Sequence, residues 1–141
     1  MFKNGPIIVI EDDQDDIDMF ESIVLELGVK NPLRWFPETA SAFNYLNETT
    51  ETVFLIFCDI NMPGKNGLEF KRDIDADPRL RKKSIPFVFL STQASRRDVD
   101  VAFTEMTIQG FFKKASRYSE AKEMLRGIFH YWDLCEHPNR L

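Results

Sequence analysis

VFLIFCDINMPGKNG, Val53 to Gly67, is the stretch whose reading decides the fold. Val53 to Cys58 carries no charge and no strongly polar group; it is too short to span a membrane and suits a strand buried on both faces, as in a parallel sheet. Asp59 ends the run. Burying an unpaired carboxylate is very costly, so an Asp at such a strand end belongs in a crevice at the sheet's edge, where something positive can meet it. Pro63, Gly64 and Gly67 then set a turn and a close backbone approach before a helical pattern that starts at Leu68. On these residues alone a second reading stays open, in which Asp59 only caps that helix or a turn.

Working outward, Ile7 to Ile10 is another short apolar run that ends in acids: Glu11, Asp12 and Asp13, with Asp15, Asp16 and Asp18 close behind. Ile17, Phe20, Ile23, Val24 and Leu27 recur at helical spacing, and Gly28 supplies a stop, so Asp15 to Leu27 is expected to be an amphipathic helix. Asp13, Asp15, Asp16 and Asp18 read as charges that favour its N-terminus. Leu33 to Phe36, flanked by Pro32 and Pro37, suits a short edge strand. A brief helix, Ala40 to Leu46, precedes the central strand, and a longer one, Leu68 to Ala76, follows it until Asp77-Pro78 breaks the pattern. Arg79, Arg81, Lys82 and Lys83 then read as a solvated basic loop. Phe87 to Leu90 is a strand ending in the hydroxyls Ser91 and Thr92. Beyond it come a helix over Ala94 to Met106, a short strand at Phe111-Phe112 ending in Lys113-Lys114, and a last helix from about Ser119 to Leu134.

Five strands alternating with five helices through short connections define a three-layer, doubly wound α/β fold: a five-stranded parallel sheet with helices on both faces. The 141 residues suit one domain, with a core from about residue 7 to 134 and a short tail over 135–141, and 43% hydrophobic residues with thirteen Phe supply that core. The excess of 23 acidic over 18 basic residues, a net charge of −5, argues against general nucleic-acid binding. The start of the chain shows no leader pattern and no window reaches membrane-spanning length, so a cytoplasmic location without membrane association is expected. Cys58 and Cys135 form neither a disulfide framework nor a zinc spacing and read as plain thiols. His130 and His137 have no second ligand at turn or helix spacing and read as structural or surface residues.

Ligands of such sheets bind beyond the carboxyl ends of the strands. Those ends carry Glu11 and Asp12, Asp59, Ser91 and Thr92, and Lys114. Like charges about 4 Å apart cost on the order of 4 kcal/mol per pair at an effective dielectric near 20, so converging carboxylates call for a divalent cation. An all-oxygen set suits Mg2+, with Mn2+ of the same ligand chemistry. A carboxylate can also act as a nucleophile and form an acyl phosphate, with a metal and a further cation taking up charge. Asp59, a metal held by Glu11 and Asp12, and Lys114 fit those roles, and the chain has no glycine-rich nucleotide loop.

VIEDD (Val9 to Asp13), DINMPGKNG (Asp59 to Gly67), FLST (Phe89 to Thr92) and GFFKK (Gly110 to Lys114) together resemble the response-regulator receiver domains of two-component signalling, over nearly the whole chain from Ile7 to about Trp132. The resemblance implies a flavodoxin-like strand order 2-1-3-4-5. It also implies that Asp59 is phosphorylated, that Glu11, Asp12, Asp59 and the backbone carbonyl of Asn61 bind Mg2+, that Ser91 is the switch hydroxyl, Lys114 the phosphate-contacting lysine and Phe111 the switch aromatic. Two departures stand out: Ala115 occupies the place of the family's usual proline, and Phe111 lacks the hydroxyl of the frequent tyrosine.

By the same resemblance the chain is a stand-alone phosphoacceptor rather than an enzyme with a separate substrate. It would take its phosphoryl group from a sensor histidine kinase or a histidine phosphotransfer protein, lose it by autodephosphorylation, and dock to an output protein. A homodimer through the last helix is also expected, because Tyr131, Trp132 and Leu134 extend its apolar character. Three alternatives share parts of this reading. A phosphorylation-independent binding module would normally lack one of the site residues. A metal-dependent phosphatase with an aspartyl nucleophile would carry D-x-D after the first strand and a cap segment, and a flavin binder would not crowd its first loop with acids.

Overall fold

The sheet follows from short runs whose alternate side chains face two different layers of helices. In the computed structural model, residues 4–93 and 95–138 are described. The strands are β1 (Ile7–Ile10), β2 (Leu33–Phe36), β3 (Leu55–Asp59), β4 (Phe87–Ser91) and β5 (Gly110–Lys113). The helices are α1 (Gln14–Glu26), α2 (Thr39–Glu48), α3 (Gly67–Ala76), α4 (Pro78–Lys83), α5 (Arg96–Glu105) and α6 (Tyr118–Leu134). All strand pairs are parallel, in the order β2-β1-β3-β4-β5. The expected order therefore holds, and the strand order reverses between β1 and β3, the position where parallel sheets of this kind open a crevice.

Strand alternation divides the core. Val9, Phe57 and Leu90 pack with Ile17, Phe20 and Ile23 of α1 and Leu125 and Phe129 of α6. Ile8, Ile10, Ile56, Cys58, Phe87 and Phe89 face the opposite layer, where α2, α3, α4 and α5 contribute Ala42, Phe70, Leu80 and Ala102. Both faces of β1, β3 and β4 are buried, which is why these strands read as unbroken apolar runs.

Several boundaries and one element differ from expectation. Among the described residues there are six helices rather than five, because Arg79 to Lys83 form a helical turn instead of a loop. Asp77 caps it through the N–H groups of Arg79 and Leu80, and Pro78 fits the first helical position, where its missing N–H costs nothing. Two of the basic side chains in that segment are held: Arg79 bonds the carbonyl and the side-chain oxygen of Asn47, and Lys83 the carbonyl of Leu46, all at 2.7 Å, so they satisfy the C-terminal end of α2. β3 starts at Leu55, although Val53 and Phe54 are also buried. Ala94, the expected start of α5, lies outside the described residues; the helix begins at Arg96 behind the cap Ser95.

On α6, Trp132 is buried against Phe54 rather than offered to a second copy, which leaves Tyr131 and Leu134 exposed toward the end of the helix. Beyond α6, His137 is buried and its ring nitrogen lies 2.7 Å from the carbonyl oxygen of Phe54, a structural role for a residue close to the chain's end.

Candidate functional site

The approach to Asp59 is built from backbone. Asn66 caps α3 and forms a reciprocal pair of bonds with Glu69, which fixes where that helix begins. Gly67, its first residue, lies directly under the end of β3: a Cβ there would run into the carbonyl oxygen of Asp59. Gly64 supplies the positive φ of +73° that the turn requires. Asp59 is thus not the helix cap. Its carboxylate accepts from the backbone N–H of Asn61 at 3.3 Å, and the residue is 9% exposed.

Glu11 continues β1 by one residue, its N–H donating to the carbonyl of Phe36. Its own carbonyl accepts from the indole N–H of Trp35 at 2.6 Å, which ties the β1–α1 corner to the sheet edge. Glu11 is 5% exposed. Asp12 follows, exposed. Oxygens of Glu11, Asp12 and Asp59 all lie within 4.8 Å of one another. Three hard, anionic oxygen donors at that separation are a fitting donor set for Mg2+ or Mn2+.

Lys114 enters from beyond β5. Its backbone N–H donates to the carbonyl of Ser91 at 2.8 Å, so β4 and β5 stay joined one residue past the sheet. Its ammonium donates to Glu11, to Asp16 at 2.9 Å and to Asp59 at 3.2 Å. Burial acts to lower the Lys114 pKa, but the bonds to Asp16 and Glu11 and the charges of Glu11 and Asp59 outweigh it and hold the ammonium above the usual lysine range. For Glu11, burial dominates in the other direction. Together with the charge of Asp59 it lifts the carboxyl to about 7, against the pull of Lys114 and of the Asp13 N–H. One ammonium does not neutralise this many acids, and the most enclosed of them is the one whose carboxyl is raised.

The crevice opens into a cavity of about 500 Å³ between α1 and α6, with Glu11, Asp16, Asp59 and Lys114 at its polar end and Met19, Phe20, Met124 and Leu125 along its apolar wall. Ser91 is fully buried as the last residue of β4, next to Leu90, the register partner of Asp59. Its hydroxyl donates to the carbonyl of Gln93 at 2.9 Å and accepts the Gln93 N–H at 3.2 Å, closing the turn that leads to α5. Thr92 is exposed and lines the cavity. Phe111 is half-buried on β5 and packs on Phe89 with ring centres 5.7 Å apart.

The residues expected at the strand ends therefore do converge: Glu11, Asp12, Asp59 and Lys114 form one cluster, and Asn61 touches it through its backbone. Asp16 was not expected there. Its position in the first turn of α1 suggests only a dipole partner, and no local pattern separates it from Asp15.

The family profile of the response regulator receiver domain matches residues 7–126, and the chain belongs to that family. It is thus a CheY-like receiver of two-component signalling, a class that works with histidine kinases and output proteins and is generally not enzymatic in the ordinary sense. Among curated relatives, the response regulator Rcp1 of Synechocystis sp. is 25% identical over 131 residues, covering 89% of this chain and 87% of Rcp1. The crystal structure of a phosphorylated cyanobacterial phytochrome response regulator, RcpA, has a TM-score of 0.84 at 24% identity, covering 96% of this chain and 99% of RcpA. A manganese-bound form of Rcp1 has a TM-score of 0.81 at 23% identity, covering 95% and 99%. Among the described residues no helix is long and apolar enough to cross a membrane.

Proposed function

We propose that this receiver is a phosphoacceptor whose Asp59 takes a phosphoryl group from the phosphohistidine of a sensor kinase or a histidine phosphotransfer protein. The observation that carries this reading is the reach of Lys114, whose ammonium bonds Glu11 and Asp59 across the crevice at once. A carboxylate oxygen of Asp59 attacks phosphorus, the P–N bond breaks as the P–O bond forms, and the leaving imidazole takes up a proton. Glu11, Asp12, Asp59 and the carbonyl of Asn61 would hold Mg2+ or Mn2+, which supplies charge neutralisation to the crowded oxygens. The manganese-bound form of Rcp1 supports that choice of ion.

Lys114 meets the charge that gathers on the phosphoryl oxygens. Ser91 gives up its two bonds to Gln93 and turns its hydroxyl toward the phosphoryl group. The space it leaves admits Phe111, and the surface made by α5, β5 and α6 repacks to bind an output protein. Asn61 and Gln93 flank the path of the water that later hydrolyses the acyl phosphate. Tyr131 and Leu134, 54% and 76% exposed on α6, offer that surface an apolar edge for a partner or a second copy.

Incubation with acetyl phosphate and Mg2+ tests the reading. One phosphoryl group should appear on the intact chain by mass spectrometry, labile to hydroxylamine, and Asp59→Asn should abolish it. An unlabelled wild-type chain, or an Asp59→Asn chain that labels as well as wild type, overturns the assignment.

A further inference from the structure

The three N–H groups of the Lys114 ammonium meet three carboxylates: Glu11, Asp16 and Asp59. Glu11 and Asp59 belong to the acid cluster that fits a divalent cation, and Asp16 does not. An oxygen that ligates a cation is a poorer hydrogen-bond acceptor, so filling that site weakens two of the three holds on Lys114. The bond to Asp16 does not compete with the ion.

The neighbouring acids of α1 are engaged elsewhere or exposed. Asp13 accepts the N–H groups of Asp15 and Asp16 as the helix cap, Asp18 accepts from Gln14 at 2.7 Å, and Asp15 is exposed. Asp16 alone turns to the crevice, from the first turn of a helix whose start is fixed by that cap. A side chain set on a capped helix aims its partner more closely than one on a loop.

We infer that Asp16 is a positioning residue: it holds the Lys114 ammonium beside Asp59 through a bond independent of the divalent cation, so that phosphoryl transfer depends on Asp16 while cation binding does not. The inference rests on the reading of Asp59 as phosphoacceptor.

The test compares the full chain with Asp16→Asn, Asp16→Glu, Lys114→Met and the double variant Asp16→Asn/Lys114→Met. Acetyl phosphate labelling rates are measured at saturating Mg2+, and Mg2+ affinity by calorimetry. Losing one charge-assisted bond at a developing charge predicts a drop of about tenfold in labelling rate for Asp16→Asn. Mg2+ affinity should stay within about twofold of wild type, since no ligand is removed. Asp16→Glu, which keeps the charge, should recover part of the rate and serves as the readout if Asp16→Asn fails to fold. In the Lys114→Met background, Asp16→Asn should have no further effect.

A labelling rate unchanged or raised in Asp16→Asn, an equal loss with Lys114 already removed, or a fall in Mg2+ affinity matching the fall in rate overturns the inference. A wild-type chain that takes no label removes the reading of Asp59 and the role of Asp16 with it. A wild type that labels beside an undisturbed Asp16→Asn removes the role of Asp16 alone.

Discussion

Two lysines are drawn into this protein at opposite ends of the sheet, and they are settled differently. Lys71, on α3 and 3% exposed, bonds Asp75 at 2.9 Å and the hydroxyl of Thr107 at 3.0 Å, with its ammonium 5.0 Å from the ring centre of Phe87. Asp75 in turn accepts the N–H and the hydroxyl of Thr107. Burial pulls Lys71 below its ordinary pKa, and Asp75 only partly offsets that. Lys114, by contrast, faces three carboxylates and is held above the ordinary value. A pair that closes on itself pins α3 to the loop before β5. A cluster that leaves negative charge over after pairing is prepared to take a further cation.

Removing each lysine separates the two roles most widely. Lys71→Met leaves Asp75 enclosed without its cation and should destabilise the chain by about 3–5 kcal/mol, with or without Mg2+. Lys114→Met should destabilise the metal-free chain similarly, but added Mg2+ should restore much of the loss, because another cation can meet the same acids. Urea unfolding with and without Mg2+ decides it, and rescue of both variants or of neither would erase the distinction.

The pH dependence should differ in sign. Folded, metal-free protein keeps the Glu11 proton up to about 7, whereas the unfolded carboxyl has released it above its ordinary 4.5. Between those values the folded state carries the extra proton, so stability from this group falls as pH rises, by about 3 kcal/mol across the window. Glu11→Gln should flatten that slope in urea midpoints. For Asp75, burial raises the carboxyl, but the Thr107 N–H and Lys71 hold it below its ordinary value of 3.8. Its contribution is therefore present above 3.8 and lost as pH falls through the lower folded value.

The smallest effect concerns the two tryptophans, one at each end. Trp35, 40% exposed, bonds the carbonyl of Glu11, while Trp132 is buried with Phe54 and His137. Trp35→Phe should cost about 1 kcal/mol and remove the fluorescence change on adding Mg2+. Trp132→Phe should leave that change in place, and a response that followed Trp132 would place the ion's effect at the wrong end.

Much of the fold was legible because it rests on local signals. Apolar runs that stop at acids mark β1 and β3, and Gly67 announces a close approach that the backbone then makes. The features that were missed depend on partners far away in the chain. Asp16 and Lys114 are separated by 98 positions, Lys71 and Thr107 by 36, and Phe54 and His137 by 83. α4 is the exception: Asp77-Pro78 ends α3 as the sequence suggests, but the same residues are also a cap and a first-position proline, so the helix start is hidden by the helix end.

At Gly67 main chain rests on main chain, with no rotatable group between α3 and the last peptide of β3. That corner has no slack to give. Under the phosphorylation proposed for Asp59, the ground beneath it would stay put, and any displacement would be left to run sideways through β4 and β5, toward the far flank of the molecule.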